Sequence, residues 1–216
     1  MSLFKKSNLP NFLTVFRIAI AVVIIPLLLI PNETFVYNIT LWNSNFIDLN
    51  ILTLIASILF IIASISDAID GYLARKFHWI SNFGKFWDPL ADKILTNTVL
   101  FCLASSNQSI VPIWLPIIFL IRDIIVDGIR FNLANKQIVV PANIYGKIKT
   151  ITLMIGIVFC LFLGNNYNNV GTIYYWAIQN MLIYISAILA ILSGIIYAFK
   201  AKQQLKNLKD NQEIKH

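Results

Sequence analysis

Charge is scarce in this 216-residue chain: 12% of residues are Asp, Glu, Lys or Arg, 58% are hydrophobic, and mean hydropathy is +0.73. Soluble domains carry roughly a quarter charged residues, so that class is excluded. Cysteine is nearly absent as well. Cys102 and Cys160 both fall in apolar runs and read as small buried hydrophobes rather than a disulfide or metal pair. No small-residue cleavage site follows the long first apolar run, so a removed signal peptide is not expected. There is no Gly/Ser linker or low-complexity tract, and residues 1–216 are expected to form a single domain. Internal repeats are also missing, which counts against a transporter built from repeated halves.

What the chain has is apolar runs. Phe12–Ile30, Leu49–Ser66, Ile110–Gly128, Ile148–Leu163 and Ile173–Phe199 approach the ~20 residues that cross a bilayer as helix, and Pro89–Ser105 is a sixth, more polar at its start. The expected fold is all-α, a polytopic membrane protein with six transmembrane helices. Residues 1–9 read as a short amphipathic approach, and 200–216 as a Lys-rich tail that frays from the last helix. Pro26 and Pro116 are expected to bend their helices.

The charges orient the spans, because inside-facing loops carry the Lys/Arg excess. With the N-terminus in the cytoplasm, every one of the 17 basic residues falls on the inner side, while segments 31–48, 106–110 and 164–172 contain none. This places both termini in the cytoplasm of a multi-pass cell-membrane protein. The net charge of +7 then reflects topology and attraction to anionic lipid heads, and calls for no nucleic acid partner.

Four of the ten acidic residues lie in one stretch, "SDAIDGYLARKFHWISNFGKFWDPLADK", between two apolar runs. Asp67, Asp70, Gly71 and Ala74 fall at i, i+3, i+4 and i+7, on one helix face. Asp88 and Asp92, at i and i+4, make a second pair after Gly84. Carboxylates at a membrane are costly, and they are generally paired or functional. Clustered acids raise one another's pKa, which a hard divalent cation relieves; oxygen-only ligands favour Mg²⁺, Mn²⁺ or Ca²⁺. The plainer reading is salt bridging to Arg75, Lys85 and Lys93. A divalent-cation transporter could use the same acids, but would be expected to hold them mid-span.

The complete pattern D-x2-D-G-x2-A-R-x8-G-x3-D-x3-D, as Asp67, Asp70, Gly71, Ala74, Arg75, Gly84, Asp88 and Asp92, resembles the signature of the CDP-alcohol phosphotransferases. The resemblance extends over most of the chain. It implies six-helix membrane homodimers with a cytoplasmic site that needs Mg²⁺ or Mn²⁺. By the motif, Asp67, Asp70, Asp88 and Asp92 surround the metal, and Asp92 also acts as general base. Gly71, Ala74, Arg75 and Gly84 cradle the nucleotide of CDP-diacylglycerol, with Asn11, Thr14 and Arg17 able to face it from the first span or else to anchor that span at the inner boundary. "NLPNFLTVFRI", "LIRDIIVDGIR" and "YGKIKT" resemble the branch that makes phosphatidylglycerophosphate from glycerol 3-phosphate. Asp123 departs from that branch, where Glu is expected, and so does Asp127, where a neutral residue is more usual. Other members use inositol phosphate, serine or phosphatidylglycerol as acceptor.

A phosphorylated acceptor needs cations. Arg122 and Arg130, two turns apart on one helix face, and Lys147 and Lys149 are the candidates, since Arg forks fit phosphate bidentately and Lys supplies a point charge. The alternative is that they pair with Asp123 and Asp127 or anchor the inner boundary. His78 and Trp79 read as inner-interface residues, and Trp42, Trp114 and Trp176 as an outer aromatic belt. Single cysteines placed at 32–46 or 165–170 should therefore react with an impermeant thiol reagent from outside the cell, and those at 76–83 or 136–142 should not. Exterior labelling near residue 80 would overturn the six-span topology.

Overall fold

The computed structural model describes residues 9–30, 39–40, 48–49, 51–77, 82–105, 110–136, 144–163 and 172–213. Six helices follow in order: α1 (Leu9–Leu29), α2 (Ile51–Phe77), α3 (Asn82–Ser105), α4 (Trp114–Asn135), α5 (Ile144–Leu163) and α6 (Thr172–Glu213). The one departure from an all-helical chain among the described residues is a two-residue antiparallel pair. It joins β1 (Ile39–Thr40) to β2 (Asp48–Leu49), with Ile39 opposite Leu49. The expected amphipathic segment lies outside the described residues, save Leu9, as do Trp42, His78 and Trp79.

Helix lengths exceed the apolar runs wherever polar sequence continues a helix. α2 continues past Ser66 to Phe77, α3 starts at Asn82 rather than Pro89, and α6 keeps its helix to Glu213. Hydropathy marks only the part of a helix that suits lipid, while the backbone ladder carries on through polar residues. Pro89 sits inside α3 between Asp88 and Asp92, where its missing N–H removes the ladder bond to the carbonyl of Lys85. Pro116 lies in the first turn of α4. There the missing N–H has no helical partner to lose, so the expected bend has no basis.

Among the described residues, three helices are by length and composition apolar and long enough to cross a membrane: α1 over Asn11–Leu29, α5 over Ile144–Phe162 and α6 over Trp176–Lys206. α2 has a shorter apolar stretch, Ile51–Asp67. Large apolar side chains such as Val22, Ile62, Ile124 and Ile188 are exposed along the helices, which suits a protein solvated by lipid.

The chain forms two compact units. The first comprises residues up to Ile113 together with Met154–Asn180; the second comprises Trp114–Leu153 and Met181 onward. In the first, α1 packs on both α2 and α3. It does so with Thr14, Arg17, Ala21 and Ile24, one turn apart on a single stripe. α2 answers with small residues, Ala56, Ser57 and Ala63, all buried, which let backbones approach closely. Buried Asn180 donates to the Ile110 carbonyl at 2.9 Å, and Cys102 and Cys160 are buried free thiols.

In the second unit the buried stripes are Leu115, Phe119, Asp123 and Val126 on α4, and Lys149 and Leu153 on α5. α6 contributes Ile183, Ser186, Ala190, Ser193 and Tyr197. Two charged residues thus occupy stripe positions, a point that the site must explain. For the packing itself, Ala63→Leu should overfill a fully buried position and destabilise the solubilised protein by about 1–3 kcal/mol. The adjacent exposed Ile62→Leu should leave the unfolding temperature unchanged, and equal shifts for the two would contradict this packing.

Candidate active site

α1 carries a single charged residue, Arg17, and its side chain is 0% exposed. A guanidinium buried in an apolar helix must be paired, and the acids of α2 and α3 supply the partners. One terminal nitrogen donates to Asp67 and the other to Asp70. The second also lies 3.8 Å from Asp88 Oδ1. Thr14, one turn before Arg17, donates its hydroxyl to the same Asp88 oxygen. α2 brings Asp67 and Asp70 together through the i, i+3 spacing, and α3 brings Asp88 to them.

Asp70 is 4% exposed, whereas Asp67 and Asp88 are 37% and 36% exposed. The set therefore has one buried carboxylate and two that reach solvent. Past the end of the apolar stretch, burial raises the Asp70 carboxyl to about 6, against the pull of Arg17. Three carboxylates around one guanidinium leave two negative formal charges.

Asp92 is half-buried on α3, and its backbone carbonyl accepts the Thr96 hydroxyl at 3.0 Å. Asn11 is half-buried on α1. Gly71, Ala74, Arg75 and Gly84 lie within the helical backbone of α2 and α3, and their side chains fall outside the described residues.

Among the described residues no group of three or more His, Cys, Asp or Glu side chains is placed to hold a metal ion. The donor chemistry nevertheless fits a hard divalent cation. Every donor is a carboxylate oxygen, the residual charge is negative, and the Arg17 guanidinium already stands in as a cation among them.

The four cations that the sequence offers for the acceptor phosphate divide into two kinds. Arg122 and Lys149 converge on Asp123, at 2.9 Å and 3.3 Å. This is the pairing that the sequence offers as the alternative to phosphate binding. Arg130 lies over the Tyr197 ring at 5.9 Å, and both Arg130 and Lys147 are exposed.

Sequence reasoning missed Arg17 as the counter-charge of the acids. The signal was there: a lone charge on an apolar span needs an opposite partner, and four acids stood on the next two helices.

Fold and site together define a helical membrane protein in which acids from two helices gather around a cation from a third. The chain belongs to the CDP-alcohol phosphatidyltransferase family, whose model matches residues 7–192. It is 39% identical over 206 residues to a CDP-diacylglycerol–glycerol-3-phosphate 3-phosphatidyltransferase of Mycoplasma genitalium, covering 93% of this chain and 86% of that protein. The protein of the same name from Mycoplasma pneumoniae is 38% identical over 207 residues, covering 93% and 90%. That of Bacillus subtilis is 40% identical over 146 residues, covering 66% and 70%.

Replacing Arg17 with Gln would leave the Asp67, Asp70 and Asp88 carboxylates without the counter-charge that α1 supplies. Breaking a buried pair of this kind costs about 3–5 kcal/mol, with the lower end expected because two of the acids reach solvent. The thermal unfolding temperature in EDTA should fall accordingly. An unchanged unfolding temperature would show that Arg17 does not hold these helices together.

Proposed function

We propose that the protein transfers the phosphatidyl group of CDP-diacylglycerol to glycerol 3-phosphate, releasing CMP and forming phosphatidylglycerophosphate. The observation that carries this reading is the carboxylate set around Arg17, in a chain that aligns over most of its length with relatives named for that reaction. The protein works in the cytoplasmic membrane as a six-span homodimer, with its site and both termini on the inner side.

A hydroxyl oxygen of the acceptor bonds to the phosphorus that carries the diacylglycerol. The bond from that phosphorus to the CMP oxygen breaks, and CMP leaves with its electron pair. Asp92 takes the proton from the attacking hydroxyl. Asp67, Asp70 and Asp88 would hold Mg²⁺ or Mn²⁺, which when bound offsets the pyrophosphate charge and stabilises the attacking and leaving oxygens. Gly71 and Ala74 present little side chain, so the nucleotide can approach the α2 backbone, and Arg75 and Gly84 complete its cradle with Asn11 and Thr14. Arg122 and Lys149 take the acceptor phosphate, with Arg130 and Lys147 adding long-range attraction.

The test is release of CMP from CDP-diacylglycerol in detergent, with glycerol 3-phosphate compared against serine and inositol. Asp67→Asn, Asp70→Asn and Asp88→Asn should each abolish turnover, and EDTA should stop the wild type. Asp92→Asn should still bind CDP-diacylglycerol while losing roughly 10²–10⁴-fold in rate, the usual worth of a general base. Full activity in chelator would remove the metal from the reaction. Preference for an unphosphorylated acceptor would overturn the choice of glycerol 3-phosphate.

A further inference from the structure

Asp123 is a buried acid placed between two cations, and the catalytic reading gives it no task. Its Oδ1 accepts from Arg122 at 2.9 Å and from Lys149 Nζ at 3.3 Å, while Oδ2 lies 3.4 Å from the same Nζ. Side by side, two cations repel; a carboxylate between them removes that cost and leaves one positive charge in surplus. The guanidinium is gripped at two further points. Its Nε donates to the Ala190 carbonyl at 3.3 Å, and a terminal nitrogen donates to Ser193 Oγ at 2.8 Å.

These three bonds use three of the five guanidinium donors, which leaves one N–H on each terminal nitrogen outside them. Two N–H donors of one guanidinium can bind a phosphate bidentately. The Arg122 side chain is 18% exposed, against 8% for Asp123 and 7% for Lys149. Gly146 sets no side chain against the guanidinium: even an added methyl there would stop 3.9 Å from the terminal nitrogen. Lys149 is steadied in turn by the Phe119 ring, 5.2 Å from its Nζ. Asp123, Ala190, Ser193 and Phe119 thus hold the two cations in place, and Arg122 is the most exposed of the three charged groups.

We propose that Asp123 and Ser193 are positioning residues for the acceptor phosphate, holding Arg122 and Lys149 at a fixed separation so that the guanidinium fork and the ammonium engage one phosphate without reorganising. This rests on the glycerol 3-phosphate reading given above. Preorganisation lowers the ordering cost of binding, so its loss falls on acceptor affinity rather than on the chemical step.

The test uses the full-length protein in detergent, with saturation curves for both substrates and inorganic phosphate as a competitor of glycerol 3-phosphate. Asp123→Asn keeps the shape but loses the charge. It should raise the acceptor KM by about tenfold or more, as expected when one partner of a charge-assisted hydrogen bond is lost. The inhibition constant of inorganic phosphate should rise in parallel, while kcat and the KM for CDP-diacylglycerol stay within about threefold. Asp123→Glu, which restores the charge, should recover most of the acceptor affinity. Ser193→Ala leaves every charge in place and should raise the acceptor KM severalfold by itself, which keeps the proposal testable if Asp123→Asn does not fold.

The proposal is overturned if wild type uses glycerol 3-phosphate normally and the folded variants leave its KM unchanged. It is equally overturned if kcat falls with both KM values intact, or if Glu fails where Asn fails. If wild type itself prefers an unphosphorylated acceptor, the functional reading falls and this proposal falls with it, so the two failures are distinguishable.

Discussion

A guanidinium buried among apolar helices cannot be left unpaired, and the first unit is arranged around that constraint. Arg17 is the only charge on α1. It lies on the same stripe as Thr14 and Ala21, which pack toward α2 and α3. Pairing with Asp67 and Asp70 ties α1 to α2, and the nearby Asp88, bonded by Thr14, ties it to α3. The helices are therefore registered against one another by a directional interaction. Apolar packing in lipid supplies little such direction, since lipid tails are as apolar as the side chains they meet.

The second unit solves a similar problem with the signs reversed. There one carboxylate serves two cations, and the Ser193 hydroxyl and the Ala190 carbonyl take up two further guanidinium donors. Ser186 adds a bond from its hydroxyl to the Lys149 carbonyl at 2.8 Å, fixing the α5 backbone where the ammonium begins. Each unit thus gathers a set of like charges around one opposite charge, and each set keeps a surplus of its own sign.

Much of this was legible in the sequence. Helix number and the carboxylate spacing follow from apolar runs and from i, i+3 and i+4 periodicity, because both are properties of the chain alone. Helix ends were less legible. α3 begins seven residues before Pro89, and α6 continues through its Lys-rich end, because a backbone ladder costs nothing to extend through polar residues once it has started. Pairing across helices was the least legible. That Arg17 serves as a counter-charge to the acids depends on which helix faces meet. Asp123 could have been recognised as buried from its place in the Leu115, Phe119, Asp123 stripe, and its pairing with the adjacent Arg122 and with Lys149 was one of two readings the sequence offered, but choosing between them needed the approach of α5 to α4.

The length of α6 has a mechanical consequence. Its 42 residues make a rod of about 63 Å at 1.5 Å per residue, roughly twice the ~30 Å of bilayer hydrocarbon. Much of it must therefore stand among headgroups or in water unless it tilts steeply. Its buried stripe runs on to Ala201, and Lys200, Lys202 and Lys206 beside it are exposed. Long lysine stems can lie back on acyl chains while their ammonium groups rest among lipid phosphates, each worth about 1 kcal/mol at an anionic surface. Sinking the rod would draw those ammonium groups into hydrocarbon at about 2.5–3.5 kcal/mol each, and lifting it would strip them from the phosphates. The helix is in effect a mooring, which fixes the depth at which the whole protein floats and hence the level at which lipid headgroups meet it.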